Sequence, residues 1–217
     1  SGTQEGGGSG FENLVMSTQG DAPVLTADIV GVVSNHAHGG VYGKAKKLGV
    51  PFFHMKAPFT EDAYSKLVET TGAEWVALSG WLKKVSGLNP QKTINIHPGP
   101  LLDGKGMFGG PNMYGHFVHE AVHKALKEGK TTTSAVSMHF VTDVYDGGPV
   151  FFERRVPLVL GMTPEDIQHA VHREEHYWQP RITQMVLRGD IHWDGTTPES
   201  LSVPEGYIHH PRDILSL

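Results

Sequence analysis

Short apolar segments that suit β-strands alternate along this chain with segments that suit amphipathic helices. In the first half, the strand-like segments lie at residues 29–33, 51–54, 75–78 and 93–96. Helical patterns follow several of them, and strands joined through a helix pair in parallel in a sheet that helices cover on both faces. The alternation therefore predicts an α/β protein with a Rossmann-like, open and mainly parallel sheet and helices on both faces.

Capping residues mark where the helices should begin. Thr60 precedes a helical pattern with acidic residues in its first turn, which suits the positive end of a helix dipole. Thr163 followed by Pro164 is a second start signal, because proline suits the first helical position. Pro180 lies inside the long pattern that follows, so we expect it to kink or interrupt that helix.

The second half contains two segments that alternate with a period of two, at residues 135–142 and 150–156. A chain of 217 residues can build one sizeable core. We assign residues 1–195 to one domain and residues 196–217 to a C-terminal tail packed on its surface. The glycine-rich loop at the start leads into a helix and should follow a strand. We therefore expect either a first strand upstream of Ser1 or a neighbouring element in its place.

Composition and charge exclude several classes of protein and binding partner. The formal charge of −5 argues against a duplex nucleic acid as partner, because such a partner favours a basic surface. The chain has no cysteine, which rules out disulfides and thiolate zinc sites and favours a cytoplasmic location. No apolar run approaches the length that spans a membrane, and no secretory signal is visible.

Polar side chains that can do chemistry stand where two predicted strands end. Asn95 and His97 close one strand, and Asp146 lies in the acidic, glycine-rich turn after another. Open α/β sheets hold their ligands at strand ends. An amide can stabilise a negatively charged oxygen, an imidazole can relay a proton, and a carboxylate can orient the imidazole or order a water. The alternative is that these residues only satisfy backbone groups and shape the turn, but three together favour an enzyme.

Two strings around these residues resemble the folate-dependent formyltransferases, and among them those that act on glycinamide ribonucleotide. They are Asn-x-His-Pro at residues 95–98 and His-Phe-Val-Thr-Asp-x-x-Asp-Gly-Gly-Pro-Val at residues 139–150. The resemblance extends over nearly the whole chain. It implies transfer of a formyl group from the co-substrate 10-formyltetrahydrofolate to the amine of glycinamide ribonucleotide, in de novo purine biosynthesis. It also implies that Asn95, His97 and Asp146 are the catalytic residues.

The same resemblance implies two binding regions for small molecules. The acceptor would lie on the glycine loop, with its phosphate at the helix start, and would also contact Glu175. The residues implied for the loop are Gly8, Ser9, Gly10, Phe11, Glu12 and Asn13. The residues implied for the folate are Trp81, Leu82, Lys83, Lys84, Val85, Asn95, Val141, Thr142, Asp143 and Asp146. No metal is implied, and the protein would be a monomer or a homodimer.

The chain departs from the family pattern in the glycine loop. The usual Gly-Ser-Asn-Leu is replaced by Gly10-Phe11-Glu12-Asn13-Leu14, which puts a glutamate where a phosphate is expected. Related alternatives are therefore a sister formyltransferase acting on another amine, such as a sugar nucleotide, and a formyltetrahydrofolate hydrolase. A non-enzymatic alternative is a nucleotide-binding module that uses only the glycine loop.

A more distant alternative comes from the pentapeptide His119-Glu120-Ala121-Val122-His123. It matches the His-Glu-x-x-His pattern of zinc peptidases, in which two histidines one helical turn apart bind zinc. It falls on a predicted helix, but no third-ligand motif follows it. The zinc peptidase is therefore a remote alternative.

Overall fold

The computed structural model describes residues 4–102 and 107–207. It contains five helices and six strands in these ranges, besides short 3-10 turns. The helices are α1 (Ser9–Ser17), α2 (Gly40–Leu48), α3 (Glu61–Thr71), α4 (His116–Lys127) and α5 (Pro164–Leu187). The strands are β1 (Val32–Ser34), β2 (Phe52–His54), β3 (Val76–Ser79), β4 (Thr93–His97), β5 (Thr133–Phe140) and β6 (Val150–Pro157).

The strands form an open α/β arrangement, as the alternation predicts. Strands β1 and β2 pair in parallel, and β3 and β4 pair in parallel. The four-stranded part continues in the order β3-β4-β5-β6, with β5 antiparallel to both of its neighbours. The connection between β5 and β6 is too short for a helical crossover, so this last pair forms a hairpin-like extension of the parallel strands.

The first predicted strand is shorter than its apolar pattern. Only residues 32–34 pair with β2, whereas residues 29–31 make no strand ladder. Residues 28–33 instead line one side of an apolar cavity of about 240 Å³, and residues 75–79 line the other. This cavity separates β1 from β3. The expected strand upstream of Ser1 stays a prediction.

The predicted helix starts are confirmed. The hydroxyl of Thr60 accepts the backbone N–H of Ala63, which satisfies one of the free donors in the first turn of α3. Thr163 and Asp166 form a reciprocal capping box at the start of α5, with Pro164 at the first helical position. Local sequence therefore fixes where both helices begin.

The expected interruption at Pro180 is wrong, because α5 runs unbroken over 24 residues. Proline has no N–H for the carbonyl four residues earlier, which belongs to His176. In this fold the side-chain amide of Asn13 donates to that carbonyl at 2.8 Å. A contact from α1 thus replaces the hydrogen bond that proline removes, and α5 continues.

The main core lies between the four-stranded sheet, formed by β3 to β6, and helices α4 and α5. Side chains from β4, β5 and β6 pack there against both helices, with Phe140, Phe151 and Phe152 fully buried. The described part of the expected tail contacts this core through Leu201 and Tyr207. Residues 1–3 and 208–217 of the expected domain and tail lie outside the described ranges. Among the described helices, none is long and apolar enough to cross a membrane.

Candidate active site

Strand β4 places Asn95 and His97 on one face, because side chains two residues apart project to the same side of a strand. The alternate residues Ile94 and Ile96 are buried in the main core. In the antiparallel pairing with β5, Asn95 lies directly opposite His139. The amide nitrogen of Asn95 is 3.0 Å from Nε2 of His139. The register of β4 and β5 therefore builds a polar cluster at the end of the sheet.

Asp146 reaches this cluster from the turn between β5 and β6. Its φ of 49° is a left-handed conformation, which aspartate adopts more readily than most residues. The turn also needs Gly148, since a Cβ at that position would collide with the carbonyl of Phe140. The acidic, glycine-rich string is thus the sequence that this tight turn requires.

The carboxylate of Asp146 faces both imidazoles. Its Oδ1 is 3.4 Å from Nε2 of His139, and its Oδ2 is 3.7 Å from Nδ1 of His97. Oδ2 also accepts the backbone N–H of Gly110 at 2.8 Å. A separation of 3.7 Å exceeds hydrogen-bond distance, so Asp146 acts on His97 through its charge or through an intervening water.

Burial and charge set the ionisation of this cluster. Burial lowers the pKa of His97 below its usual value, and this outweighs the opposing effects of Asp146 and the Phe108 carbonyl. Burial alone would raise the pKa of Asp146, but the hydrogen bond from His139, the charge of His97 and the Gly110 N–H together lower it. At neutral pH the site therefore combines a neutral His97 with an ionised Asp146.

His139 is a member of the cluster that sequence reasoning missed. Its Nδ1 donates to the backbone carbonyl of Phe140 at 2.7 Å, which fixes the ring so that Nε2 lies 3.0 Å from the amide nitrogen of Asn95 and 3.4 Å from Oδ1 of Asp146. The period-two pattern placed residue 139 on a strand. It gave no information on which residue of β4 lies opposite, because strand register is a tertiary property.

The segment that follows β4 contacts His97 through the backbone of Phe108. Nε2 of His97 donates to the backbone carbonyl of Phe108 at 2.6 Å. The neutral ring then has its free lone pair on Nδ1, the nitrogen that faces Asp146. Nδ1 is therefore the atom of His97 that can take up a proton beside a carboxylate.

The buried Glu153 fixes the start of the same segment. It lies on β6 opposite Ser137 of β5, whose hydroxyl is 3.0 Å from its Oε2. The same oxygen accepts the backbone N–H of Leu101 at 3.1 Å. Ser137 is in turn the strand partner of His97. A polar row across three strands thus connects His97 with the loop that follows it.

A cavity of about 610 Å³ opens in front of the cluster. Its walls come from the glycine loop, the ends of β3 and β4, the segment 110–116, and helices α4 and α5. Asn95, His97 and Asp146 all line it. The structure therefore brings the three residues predicted as catalytic to one surface.

The residues predicted to bind the acceptor separate into two groups. Gly8, Ser9 and Gly10 line the large cavity, together with Glu175. The other three project elsewhere, because residues 9–17 are helical and successive side chains turn around the axis. Phe11 is 9% exposed in a core cluster, Glu12 forms an ion pair with Lys44 at 3.4 Å, and Asn13 donates to His176.

Burial raises the pKa of Glu175 to about 7. No cation offsets that burial in the described part of the chain. A carboxyl group close to half-protonated at neutral pH can either accept or donate a hydrogen bond. Glu175 is thus suited to contact hydroxyl or amine groups of a ligand.

All but one of the residues predicted to bind the folate line a second, smaller cleft of about 70 Å³. Its walls include Trp81, Lys83, Lys84, Val85, Asn95, His139, Val141, Thr142, Asp143 and Asp146. Leu82 lies on the large cavity instead. Trp81 is held by a hydrogen bond from its ring nitrogen to the hydroxyl of Tyr64 at 3.0 Å. Asn95 and Asp146 line both spaces, so the cleft and the cavity meet at the polar cluster.

The two histidines of the zinc-peptidase pattern lie one turn apart on α4. His119 is 4% exposed and lines the large cavity, whereas His123 does not line it. In the ranges that the structure describes, no three histidine, aspartate or glutamate side chains are arranged to hold a metal ion. The geometry of the described residues gives no support to the zinc alternative.

A family model described as formyl transferase matches residues 4–183. The match includes the glycine loop, both strings at the strand ends and most of α5.

Curated relatives resemble most of the chain. A trifunctional purine biosynthetic protein adenosine-3 from Gallus gallus is 30% identical over 86% of this chain, which covers 18% of that protein. A chloroplastic phosphoribosylglycinamide formyltransferase from Arabidopsis thaliana is 28% identical over 87% of this chain and 65% of its own length. A phosphoribosylglycinamide formyltransferase from Bacillus subtilis is 25% identical over 84% of this chain and 91% of its own length. The chain thus spans less than two thirds of the first two relatives.

Solved structures share the fold. Glycinamide ribonucleotide transformylase 1 from Symbiobacterium toebii superposes with a TM-score of 0.75 at 24% identity, covering 93% of this chain and 91% of that one. A phosphoribosylglycinamide formyltransferase from Coxiella burnetii gives a TM-score of 0.70 at 24% identity, covering 92% of this chain and 96% of that one. At this level of identity the likeness establishes a common architecture.

Proposed function

The chain belongs to the formyl transferase family, and from this premise we propose that it transfers a formyl group from 10-formyltetrahydrofolate to the amine of glycinamide ribonucleotide. This would make it a phosphoribosylglycinamide formyltransferase of de novo purine biosynthesis. The single observation that carries the proposal is the junction of cavity and cleft at Asn95 and Asp146. A transferase must bring two substrates together at its reactive groups, and this site has one space on each side of them.

The chemistry follows from the atoms at that junction. The acceptor nitrogen bonds to the formyl carbon, and the carbonyl oxygen becomes negatively charged in the tetrahedral intermediate. The amide of Asn95 donates a hydrogen bond to this oxygen, an interaction that is strongest when the charge has developed. His139 holds the Asn95 side chain in place at 3.0 Å. Asn95 is thus the group that stabilises the oxyanion.

Proton movement falls to His97 and Asp146. The attacking amine must lose a proton, and N10 of the folate must gain one when its bond to the formyl carbon breaks. Neutral His97 can accept the first proton at Nδ1, and the resulting imidazolium is stabilised by the nearby carboxylate of Asp146. Returning that proton to N10 completes the transfer and restores both groups.

The large cavity suits the acceptor, and we assign the pterin to the small cleft because it adjoins Asn95 and Asp146. Backbone N–H groups at Ser9 and Gly10 begin a helix, where an anion such as a phosphate is stabilised. Glu12 does not line the cavity, and its carboxylate pairs with Lys44 at 3.4 Å, which partly offsets its negative charge beside an anion. The departure in the glycine loop is therefore compatible with a phosphorylated acceptor. The cytoplasmic location and the monomeric or dimeric state belong to the same proposal.

A direct assay tests the proposal. We expect the purified protein to form formylglycinamide ribonucleotide from 10-formyltetrahydrofolate, and to act poorly on sugar-nucleotide amines offered in parallel. Release of tetrahydrofolate at the same rate without any amine would establish the hydrolase instead. Transfer only to a sugar-nucleotide amine would establish the sister transferase.

A further inference from the structure

One hydroxyl group behind the small cleft contacts two groups of the cleft wall. We infer that Tyr64 is a positioning residue for the folate, which acts through the indole of Trp81 and the backbone of Lys84. Tyr64 itself lines neither the cleft nor the large cavity, whereas Trp81 and Lys84 line the cleft. The inference rests on the proposed function for the identity of the ligand in the cleft. Folate binding can be measured without any formyl transfer.

The position of Tyr64 follows from the start of α3. Thr60 caps that helix, and the backbone N–H of Tyr64 donates to the carbonyl of Thr60 at 3.1 Å. The side chain of Tyr64 is 5% exposed and belongs to a small apolar cluster with Met55 and Val85. Local sequence and packing therefore fix the ring, and its hydroxyl reaches the segment 81–84 that follows β3.

The hydroxyl of Tyr64 both donates and accepts a hydrogen bond there. It donates its single proton to the carbonyl of Lys84 at 2.9 Å and accepts the indole N–H of Trp81 at 3.0 Å. Burial raises the pKa of Tyr64 above its usual value, so the hydroxyl keeps this proton at neutral pH. An indole N–H can only donate, and it needs an acceptor when the ring is partly buried. One oxygen atom thus fixes two points of the segment, three residues apart.

Trp81 is the residue through which this arrangement reaches the reacting groups. It lines both the cleft and the large cavity, as Asn95 and Asp146 do. The rings of Phe59 and Tyr64 pack edge-on against its indole, with 5.9 and 6.3 Å between centroids. This packing restrains the indole, and the hydrogen bond to Tyr64 sets the direction of its N–H. The wall of the cleft beside the polar cluster therefore depends on the hydroxyl of Tyr64.

Tyr64→Phe isolates the hydroxyl, because phenylalanine keeps the ring and its packing. The indole N–H of Trp81 and the carbonyl of Lys84 both lose their partner in this variant. Each group must then turn to find another, since unpaired polar groups are unfavourable in a partly buried place. The wall of the cleft changes as a result, and the acceptor end of the large cavity does not. A hydroxyl that only stabilised the fold would lower the melting temperature and leave folate affinity unchanged.

Calorimetric titration with tetrahydrofolate tests the inference, because this product binds without turnover. We expect Tyr64→Phe to raise its dissociation constant about fivefold to twentyfold, which corresponds to the loss of one or two hydrogen bonds. The KM for 10-formyltetrahydrofolate should rise by a similar factor, with kcat within about threefold. The dissociation constant of glycinamide ribonucleotide should stay within about twofold. The matched control is Tyr177→Phe on α5, whose ring is half-exposed and lines neither space.

A second substitution tests whether the effect passes through Trp81. In a Trp81→Phe background there is no indole N–H to hold, so adding Tyr64→Phe should raise the dissociation constant of tetrahydrofolate only about twofold. The indole N–H resonance of Trp81 should also shift in nitrogen-15 NMR spectra of Tyr64→Phe. It should keep its position in Tyr177→Phe.

Four outcomes would overturn the inference. They are unchanged tetrahydrofolate affinity in folded Tyr64→Phe, equal losses in both Trp81 backgrounds, an equal loss of affinity for the acceptor, and no tetrahydrofolate binding by any form. Melting temperatures verify that each variant is folded. Failure of the proposed function looks different, since tetrahydrofolate would then bind with the expected differences and no formylglycinamide ribonucleotide would form.

Discussion

Asp146 has both a backbone role and a side-chain role in the candidate site. Its backbone turns the chain after β5, and its carboxylate contacts Gly110 and faces His97 and His139. Asparagine tolerates the same left-handed backbone, so it preserves the turn while removing the charge. The position therefore allows shape and charge to be separated experimentally.

We predict that Asp146→Asn lowers kcat about a hundredfold or more, with little change in KM, because the charge matters chiefly when His97 is protonated. The acid limb of the pH profile should also move. Neutral His97 is the active form, so activity falls as pH drops through its pKa, which lies below the usual value. The charge of Asp146 raises that pKa, so its removal should shift the limb to lower pH.

Steady-state kinetics from pH 5 to pH 9 measure both effects. Asp21→Asn, at an exposed position outside the cavity and the cleft, is the control for loss of one negative charge. Turnover close to that of the control would show that Asp146 only shapes the turn. A limb that stayed in place would show that its charge does not act on His97.

At the scale of elements, α5 depends on a contact that its own sequence does not supply. Pro180 leaves the carbonyl of His176 without its helical donor, and the amide of Asn13 takes that place at 2.8 Å. The contact also fixes α1 against α5, and these two helices carry Ser9, His172 and Glu175. A proline inside a helix thus positions one end of the large cavity.

We predict that Asn13→Ala destabilises the protein by about 1–2 kcal/mol, because it leaves a partly buried carbonyl without a partner. In a Pro180→Ala background the helix regains its own N–H at residue 180, so the same substitution should cost clearly less. Urea unfolding of the four proteins gives the coupling energy as a double-mutant cycle. Equal costs in both backgrounds would contradict this account of the contact.

At the scale of the whole molecule, the two sheets leave an apolar cavity of about 240 Å³ between β1 and β3. Gly8 lines it, and the carbonyl of Gln4 accepts the N–H of Gly40 beyond the end of β1. We infer that a strand ahead of the glycine loop would lie in the space between β1 and β3. Such a strand would give β1 and β3 a neighbouring strand and would fill the apolar cavity between them.

We predict that adding an apolar strand of about five residues, such as Val-Ile-Val-Val-Ile, directly before Ser1 raises the melting temperature by about 5 °C or more. The reason is that the added side chains bury apolar surface and the added backbone can hydrogen-bond to the free edges of β1 and β3. A Gly-Ser extension of equal length is the control, and differential scanning calorimetry measures the difference. Equal melting temperatures for the two extensions would show that the cavity does not accept a strand.

Local sequence determined what depends on neighbours along the chain. The strand and helix alternation, the caps at Thr60 and Thr163, and the chemistry at the ends of β4 and β5 follow from periodicity and residue type. Asn95 and His97 could be placed on one face from their spacing alone. The fold class and the polar side chains of the candidate site were therefore predictable.

Tertiary structure decided what depends on partners far apart in sequence. The register of β4 against β5 brought His139 to Asn95, and the docking of α1 on α5 kept α5 intact through Pro180. The packing of α1 against α2 and α5 gave Glu12 and Asn13 their partners Lys44 and His176, away from the cavity that Ser9 lines. The strand register and the helix docking depend on partners far apart in sequence, and for the strands a shift of one residue would move every side chain to the other face, so local periodicity carries no information about either.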